Sequence, residues 1–118
     1  MFVADSDNHR IQKFDNNGNY IKSWGHFGTG NDGLSTVYGI ELDPKKGHVL
    51  VCNRDHPRIQ LSTKNGGFIK SWGGYGSGDG EFSSPSGITV DMAGDVFVAD
   101  GYRIQKFTNN GVFILKWP

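Results

Sequence analysis

The side chains in this sequence that could carry out chemistry are four histidines, one cysteine and a cluster of serines, and their spacing favours neither a metal site nor a nucleophile. The histidines are His9, His26, His48 and His56. No two of them have the spacing of zinc ligands, and Cys52 has no second cysteine to join it in holding a metal. Cys52 lies in the run VLVCN, where a small buried residue is the ordinary role. The sequence therefore predicts no metal site, no cofactor and no catalytic residue.

The serines and the glycine-rich segments are better explained by structure than by catalysis. Ser83, Ser84 and Ser86 lie close together, but no nucleophile elbow surrounds them. The segments GHFGTGNDG and GGYGSGDGEF have the composition of phosphate-binding loops. Such a loop opens a helix after a strand, and no helical period of apolar residues follows either segment. We predict that these glycines provide turn geometry, with Phe27 and Tyr75 packed over the loops.

The charge and composition limit the partners and the location. Lys plus Arg and Asp plus Glu both number 12, so the formal net charge is zero, which removes the simplest electrostatic argument for nucleic acid or an anionic membrane. A single cysteine excludes an internal disulfide. No apolar run approaches the ~18 residues of a membrane span. The opening MFVADSDNHR lacks the apolar centre of a signal peptide. These features favour the cytoplasm.

One short phrase occurs three times and reveals an internal repeat. It reads NHRIQKF at 8–14, HPRIQLS at 56–62 and GYRIQKF at 101–107. Tryptophan follows each copy, at positions 24, 72 and 117. We assign repeats at 1–48, 49–95 and 96–118, the last about half as long as the others.

Each repeat divides into short strands, which we name a to d in chain order. Strand a reads YGIELD or SGITVD, and strand b contains HVLVCN, VFVAD or the opening FVAD. Strand c is the RIQ phrase, and strand d reads YIKSW, FIKSW or FILKW. Asn-Gly and its variants between c and d are the strongest short signal for a hairpin. Four antiparallel strands in each 40 to 50 residues are typical of a blade of an all-β propeller.

The segments VADSDNHRIQKF (3–14), NNGNYIKSWG and GEFSSPSGITVD (80–91) resemble the NHL repeat, whose Asn-His-Leu type motif is matched by Asn8, His9 and Ile11. The resemblance covers the whole chain. It implies an NHL-type β-propeller, usually of six blades, with strand a innermost and strand d outermost. The second copy departs with Cys52-Asn53 in place of Ala-Asp, and the third lacks the Asn-His pair.

In such a propeller the b–c turns and the d–a loops share one rim, which we expect to recognise a partner. The candidate binding residues there are Asp7, Asn8, His9, Tyr38, Arg54, Asp55, His56, Ser86 and Tyr102. Structural roles are expected for Arg10, Arg58, Arg103, Trp24, Trp72 and Trp117. The arginines would brace turns through charge-assisted hydrogen bonds to turn carboxylates or carbonyls. The tryptophans would pack against neighbouring blades.

The resemblance implies a non-enzymatic binding scaffold for a protein or peptide. It further suggests the target-recognition part of a ubiquitin ligase of the tripartite-motif type. Two alternatives remain: an RNA-binding propeller, which the neutral charge disfavours, and a fragment of a metal-dependent propeller enzyme of the lyase or lactonase kind.

The number of strands also bears on assembly. The sequence predicts eleven blade strands, fewer than the ~16 or more of a closed propeller of at least four blades. Either the chain is part of a longer propeller, which we prefer, or two copies close one ring as a homodimer. In both cases the apolar faces of the end blades need a cover.

Overall fold

Three antiparallel sheets follow one another along the chain in the computed structural model, which describes residues 1–28, 30, 33, 34 and 36–118, except for the side chain of Tyr38. The first sheet contains β1 (Phe2–Asp5), β2 (Arg10–Phe14) and β3 (Tyr20–Trp24). A short parallel pair follows, β4 (His26–Phe27) and β5 (Gly33–Leu34). The second sheet contains β6 (Val37–Leu42), β7 (Val49–Asn53), β8 (Arg58–Ser62) and β9 (Phe68–Gly73). The third contains β10 (Pro85–Val90), β11 (Val96–Asp100), β12 (Arg103–Phe107) and β13 (Phe113–Trp117).

The hairpins between strands c and d are built by the same turn chemistry in each repeat. A side-chain oxygen at the start of the turn accepts hydrogen bonds from backbone N–H groups further along it. Asp15 accepts from the N–H groups of Asn17 and Asn19, and Thr108 accepts from the N–H group of Val112. A glycine with positive φ then completes the reversal, as at Gly111 (φ 85°).

The strand registers show that the three sheets are copies of one blade. Strands c and d pair Ile11 with Trp24 in the first sheet. The same pairing joins Ile59 to Trp72 and Ile104 to Trp117. Equal registers place equivalent side chains on equivalent faces, because side chains alternate between the two faces of a strand.

The hydrophobic core lies between the sheets. The cluster between the first and second sheets contains Ile11, Leu34, Val37, Val49 and Val51. The cluster between the second and third contains Leu50, Cys52, Ile59, Leu61, Phe82, Val96, Val98 and Phe107. Strand β6 contacts both β1 and β10, so the inner edges of the sheets approach one another. Radial sheets that bury both faces against neighbours make a β-propeller.

The predicted all-β propeller segment is therefore confirmed, with three described strands in the first blade and four in each of the other two. The sequence did not predict the 3₁₀ turn Ser6–Asn8 or the parallel pairing within the d–a loops, where Tyr75 bridges Phe82 in the second repeat. These elements are too short to show a hydrophobic period. Among the described residues, no helix is long and apolar enough to cross a membrane.

Candidate recognition rim

The b–c turns and the d–a loops lie at the same end of every sheet. The start of strand c pairs with the end of strand d, as Arg58 does with Gly73, and the start of strand a pairs with the end of strand b, as Val37 does with Asn53. We name residues 6–9, 25–28, 54–57, 73–77 and 101–102 the top rim. The a–b turns, including residues 43–47 and 91–95, lie at the opposite end.

The arginine of each repeated phrase positions the loop that precedes its blade. The guanidinium of Arg58 donates from Nη2 to the carbonyl oxygens of Gly30 (2.8 Å) and Gly33 (2.7 Å), and burial lowers its pKa. Arg103 donates to the carbonyls of three loop residues, Ser77 (2.9 Å), Gly78 (3.1 Å) and Glu81 (2.6 Å). These side chains therefore hold the glycine-rich loops against the blade, and each makes more than one charge-assisted hydrogen bond.

The glutamine of the phrase contacts the same loops. The amide of Gln60 donates to the Gly33 carbonyl (3.0 Å). Gln105 donates to the Glu81 carbonyl (2.7 Å) and accepts from the Gly80 N–H (2.8 Å). Both glutamines are buried, so the hydrogen bonds offset the cost of removing their amides from water.

In the first blade the same two side chains bind a carboxylate of their own blade. Arg10 donates from Nε to Asp5 (2.9 Å), and Gln12 donates to the same carboxylate (3.1 Å). Asn8 is a third donor to Asp5. Hydrogen bonds from the side chains of Asn8 and Arg10 lower the pKa of Asp5, which remains a carboxylate at neutral pH.

The serines and the cysteine have structural partners. Asp100 is buried and accepts hydrogen bonds from the backbone N–H groups of Ser83 and Ser84, which fixes the end of the second d–a loop. The Ser83 hydroxyl also donates to Asp100 (3.4 Å). Burial, with a contribution from Asp100, raises the pKa of the Cys52 thiol to about 12, which disfavours the nucleophilic thiolate at neutral pH.

Three aromatic side chains project from the top rim. Phe27, Tyr75 and Tyr102 are 68%, 79% and 101% exposed. The ring of His9 contacts Phe27 edge to face, with centroids 4.8 Å apart. The expectation that Phe27 and Tyr75 pack over their loops is wrong in that both remain mostly in solvent. Their phenyl and phenol groups are candidate binding groups that the sequence analysis did not identify. The sequence feature that could have indicated them is an aromatic residue inside a glycine-rich loop.

Open depressions lie beside two of these aromatics. One, of about 380 Å³, is lined by Asp55, His56, Pro57, Arg58, Gly73, Gly74 and Tyr75. The other, of about 320 Å³, is lined by Ser77, Ser83, Asp100, Tyr102, Arg103 and Pro118. Each combines an aromatic ring, a guanidinium and a carboxylate.

The structure places the predicted rim residues in two groups. Those on the b–c turns include Asp7, Asn8, His9, Arg54, Asp55, His56 and Tyr102. The carboxylate of Asp55 accepts from the Thr36 hydroxyl (2.6 Å), and this bond ties the turn to the start of β6.

Ser86 and Tyr38 form the second group. Each lies at a β-bulge near the start of strand a, and Ser86 is exposed. The side chain of Tyr38 lies outside the part of the chain that the structure describes. Neither position is on a b–c turn or in a d–a loop.

Among the described residues, no group of three or more His, Cys, Asp or Glu side chains is close enough to hold a metal ion. Asp43 and Asp91, which recur at the end of strand a, bind turn N–H groups instead: Asp43 accepts from Lys45 (2.8 Å), and Asp91 from Ala93 (3.0 Å) and Asp95 (2.9 Å).

Solved structures with the same architecture are found in proteins of different kinds. The chain superposes on hydrazine synthase of Kuenenia stuttgartiensis with a TM-score of 0.72 and 15% identity, over 98% of this chain and 31% of that one. A gluconolactonase from Xanthomonas campestris gives 0.66 and 15%, over 95% and 35%. A protein of Bacteroides fragilis described as exported gives 0.61 and 18%, over 98% and 30%.

The chain spans about a third of the length of each of these structures. At this identity the likeness shows the β-propeller fold alone. No protein-family model and no curated protein matches the sequence.

Proposed function

We propose that the chain is a non-enzymatic binding scaffold that presents its top rim to a protein or peptide. The observation that carries the proposal is the set of three exposed aromatic rings, Phe27, Tyr75 and Tyr102, at one end of the three sheets. Aromatic and arginine side chains are enriched at interfaces because they bury a large area with few rotatable bonds.

The two d–a loops that bear Phe27 and Tyr75 are well suited to recognition because hydrogen bonds to the following blade restrain their backbones. Two or three carbonyls of each described d–a loop bind the arginine of the following blade, so little loop entropy is lost when a partner binds. Between Tyr75 and the 54–57 turn, the 380 Å³ depression has room for one partner side chain.

The likeness of the sequence to the NHL repeat supports the same proposal. On this basis the proposal also includes a more specific role, the selection of a target by a ubiquitin ligase of the tripartite-motif type. An RNA partner is not favoured, because the 12 basic residues are balanced by 12 acidic ones.

A second candidate is an enzyme of the lyase or lactonase kind, which the structural likeness to a gluconolactonase favours. Its activity would need ligands or catalytic groups grouped at the propeller axis. Hydrolysis of gluconolactone, measured with Ca²⁺ or Zn²⁺ added, tests this candidate directly.

Selection of short random peptides displayed on phage tests the scaffold proposal. Enriched peptides should bind the chain, and replacing the three rim aromatics together by serine should weaken that binding about 30-fold or more, as loss of an interface hot spot does. Met92→Ser is the matched control, since Met92 is 89% exposed on an a–b turn at the opposite end. Peptides that bind the native chain and the triple serine variant equally, or a selection that enriches no peptide, would contradict the proposal that the top rim is the binding surface.

A further inference from the structure

We infer that two copies of this chain close against each other, the exposed face of the last blade of each covering the exposed face of the first blade of the other. The inference is independent of what the top rim binds. It follows from the two contacts between neighbouring blades within the chain. These contacts show which kind of blade surface packs against each exposed face.

The contact between the first and second blades has a defined pattern. Phe2, Ala4, Ile11 and Trp24 of the first blade face Val49 and Val51 of the second. The Trp24 ring lies under Gly66 of the next c–d turn, where a β-carbon would come within 2.7 Å of Cδ2. Only glycine fits there.

The contact between the second and third blades repeats this pattern. Leu50, Cys52, Ile59 and Trp72 face Val96, Val98 and Phe107. The Trp72 ring lies under Gly111, with Cδ2 2.6 Å from where a β-carbon would be. A tryptophan of one blade and the turn glycine of the next therefore form a contact that occurs twice.

The exposed face of the last blade is the tryptophan half of a third such contact. Phe97, Ala99, Ile104 and Trp117 occupy the register positions of Phe2, Ala4, Ile11 and Trp24. The last blade orients its two rings as the covered face of the first blade does. Phe97 and Trp117 meet edge to face at 6.2 Å and 73°, and Phe2 and Trp24 at 6.1 Å and 69°.

None of the residues that the structure describes packs over that face. Trp117 is 38% exposed. A depression of about 170 Å³ on the same blade is lined by Gly87, Ile88, Thr89, Phe97, Ala99 and Ile104. Exposed apolar surface of this kind marks an interaction site.

The exposed face of the first blade is the glycine half. Val3 pairs with Gln12 as Val98 pairs with Gln105, so Val3 occupies the position that packs on the preceding blade, and it is 40% exposed. Gly18 occupies the position of Gly66 and Gly111, and no atom lies within 4 Å of where its β-carbon would be. Because this face and the Trp117 face are the two halves of one contact, a second copy supplies what each lacks.

Polar groups fit the same closure. Lys13 lies over the Phe2 ring at 5.8 Å and donates to the side chain of Asn65 on the next c–d turn (3.2 Å). Lys106 lies over the Phe97 ring at 5.4 Å in the same way. Asn17, which precedes Gly18 as Asn65 precedes Gly66, is the acceptor that the second copy would offer to Lys106.

One hydrogen bond of the internal contacts has no counterpart in the closure. Lys22 and Lys70 donate to the backbone carbonyls of Asn65 and Asn110. Leu115 pairs with Lys106 as Lys22 pairs with Lys13, and it has no donor. The contact between copies is therefore weaker than the contacts within a copy, and we expect a reversible dimer.

Two copies bring together six blade sheets, within the four to eight blades of closed propellers. The closed ring would contain two copies of each candidate residue of the top rim.

Sedimentation velocity over a dilution series tests the closure. We expect a mass of twice 13.0 kDa that falls to one copy on dilution. Trp117→Ala should raise the dimer dissociation constant about 30-fold or more. Gly18→Asn should do the same by placing a side chain where the ring of Trp117 must lie, and asparagine tolerates positive φ better than other residues. Met92→Ser should leave the constant unchanged.

Leu115→Lys tests the closure in the opposite direction. It restores the missing donor, so it should lower the dissociation constant about 3- to 10-fold, the value of one hydrogen bond. Circular dichroism of each monomer confirms that the variants fold. A monomer at every concentration, a dimer indifferent to Trp117→Ala and Gly18→Asn, or species that grow beyond two copies would overturn the two-copy ring.

Discussion

The indole of Trp72 lies directly beneath Gly111 of the next blade, so close that a β-carbon at Gly111 would come within 2.6 Å of the ring atom Cδ2. The ring also packs on Phe107, at 5.8 Å between centroids. Adjacent blades are thus joined at their outer edges by an aromatic side chain that requires a glycine opposite it.

Gly111→Ala should destabilise the fold by about 2–4 kcal/mol, because the methyl group adds overpacking against Trp72 to the strain of a positive φ. Gly94→Ala is the matched control: its φ of +91° is close to the +85° of Gly111, but the nearest atom to its β-carbon is at an ordinary 3.7 Å. Urea denaturation of the two variants and the native chain measures the loss in free energy of unfolding for each substitution. Equal losses for the two variants would mean that backbone strain alone is responsible.

Trp72→Ala should cost about 3–5 kcal/mol, the usual cost of removing a large packed aromatic side chain. Trp117 occupies the same register position but is 38% exposed, so Trp117→Ala should cost the monomer about 1 kcal/mol or less. Both are measured at concentrations where the chain is monomeric. A Trp72→Ala variant as stable as Trp117→Ala would contradict the role of the indole between blades.

Arg103→Lys should loosen the 77–81 loop, because lysine cannot donate to Ser77, Gly78 and Glu81 in the geometry of a guanidinium. We expect a loss of about 1–3 kcal/mol and faster amide hydrogen exchange in that loop. Lys116→Gln is the control, since the Lys116–Asp79 ion pair also joins the loop to the blade but is exposed and worth about 0.5 kcal/mol. Unchanged exchange in Arg103→Lys would show that other contacts hold the loop.

Asn109→Asp should produce a pH-dependent loss of stability. Asn109 donates to the Asp43 carboxylate (2.7 Å) and to the Gly94 carbonyl (3.0 Å), and Asp43 is only 1% exposed. Burial acts to raise the pKa of Asp43, but the hydrogen bonds from the Lys45 N–H and the Asn109 amide outweigh burial and lower it.

In the native chain, the stability that the Asp43 carboxylate contributes is therefore present above its ordinary pKa of 3.8 and is lost as the pH falls through its lower folded value. A second carboxylate at position 109 would raise the pKa of the pair. The variant should be about 2–3 kcal/mol less stable at pH 7, and the difference should shrink as the pH falls towards 4 and one carboxyl protonates. A difference independent of pH would contradict this.

Much of the fold could be predicted from the sequence because its signals are local. The Asn-Gly turns and the repeated RIQ phrase fix strand existence and order, and Trp24, Trp72 and Trp117 fix the period. The contacts of Arg58 and Arg103 were harder to specify. Their acceptors are loop carbonyls 22 to 28 residues earlier in the chain, which no local pattern identifies.

The candidate site was less predictable than the fold. The exposure of Tyr75 depends on how its loop bends around the Tyr75–Phe82 bridge. Glycines such as Gly76 (φ 158°) permit such a bend, but their presence in the sequence does not show in which direction the loop turns. Side-chain type alone therefore favoured a packed ring, and the structure leaves it in solvent.

Amide chemical shifts of the isotope-labelled chain, followed while a selected rim-binding peptide is added, test the central claim of rim recognition most directly. We expect the largest changes at residues 6–9, 25–28, 54–57, 73–77 and 101–102, with the turns at 43–47 and 91–95 unchanged. Changes concentrated on those opposite turns, or along the inner strands β6 and β10, would contradict recognition by the top rim.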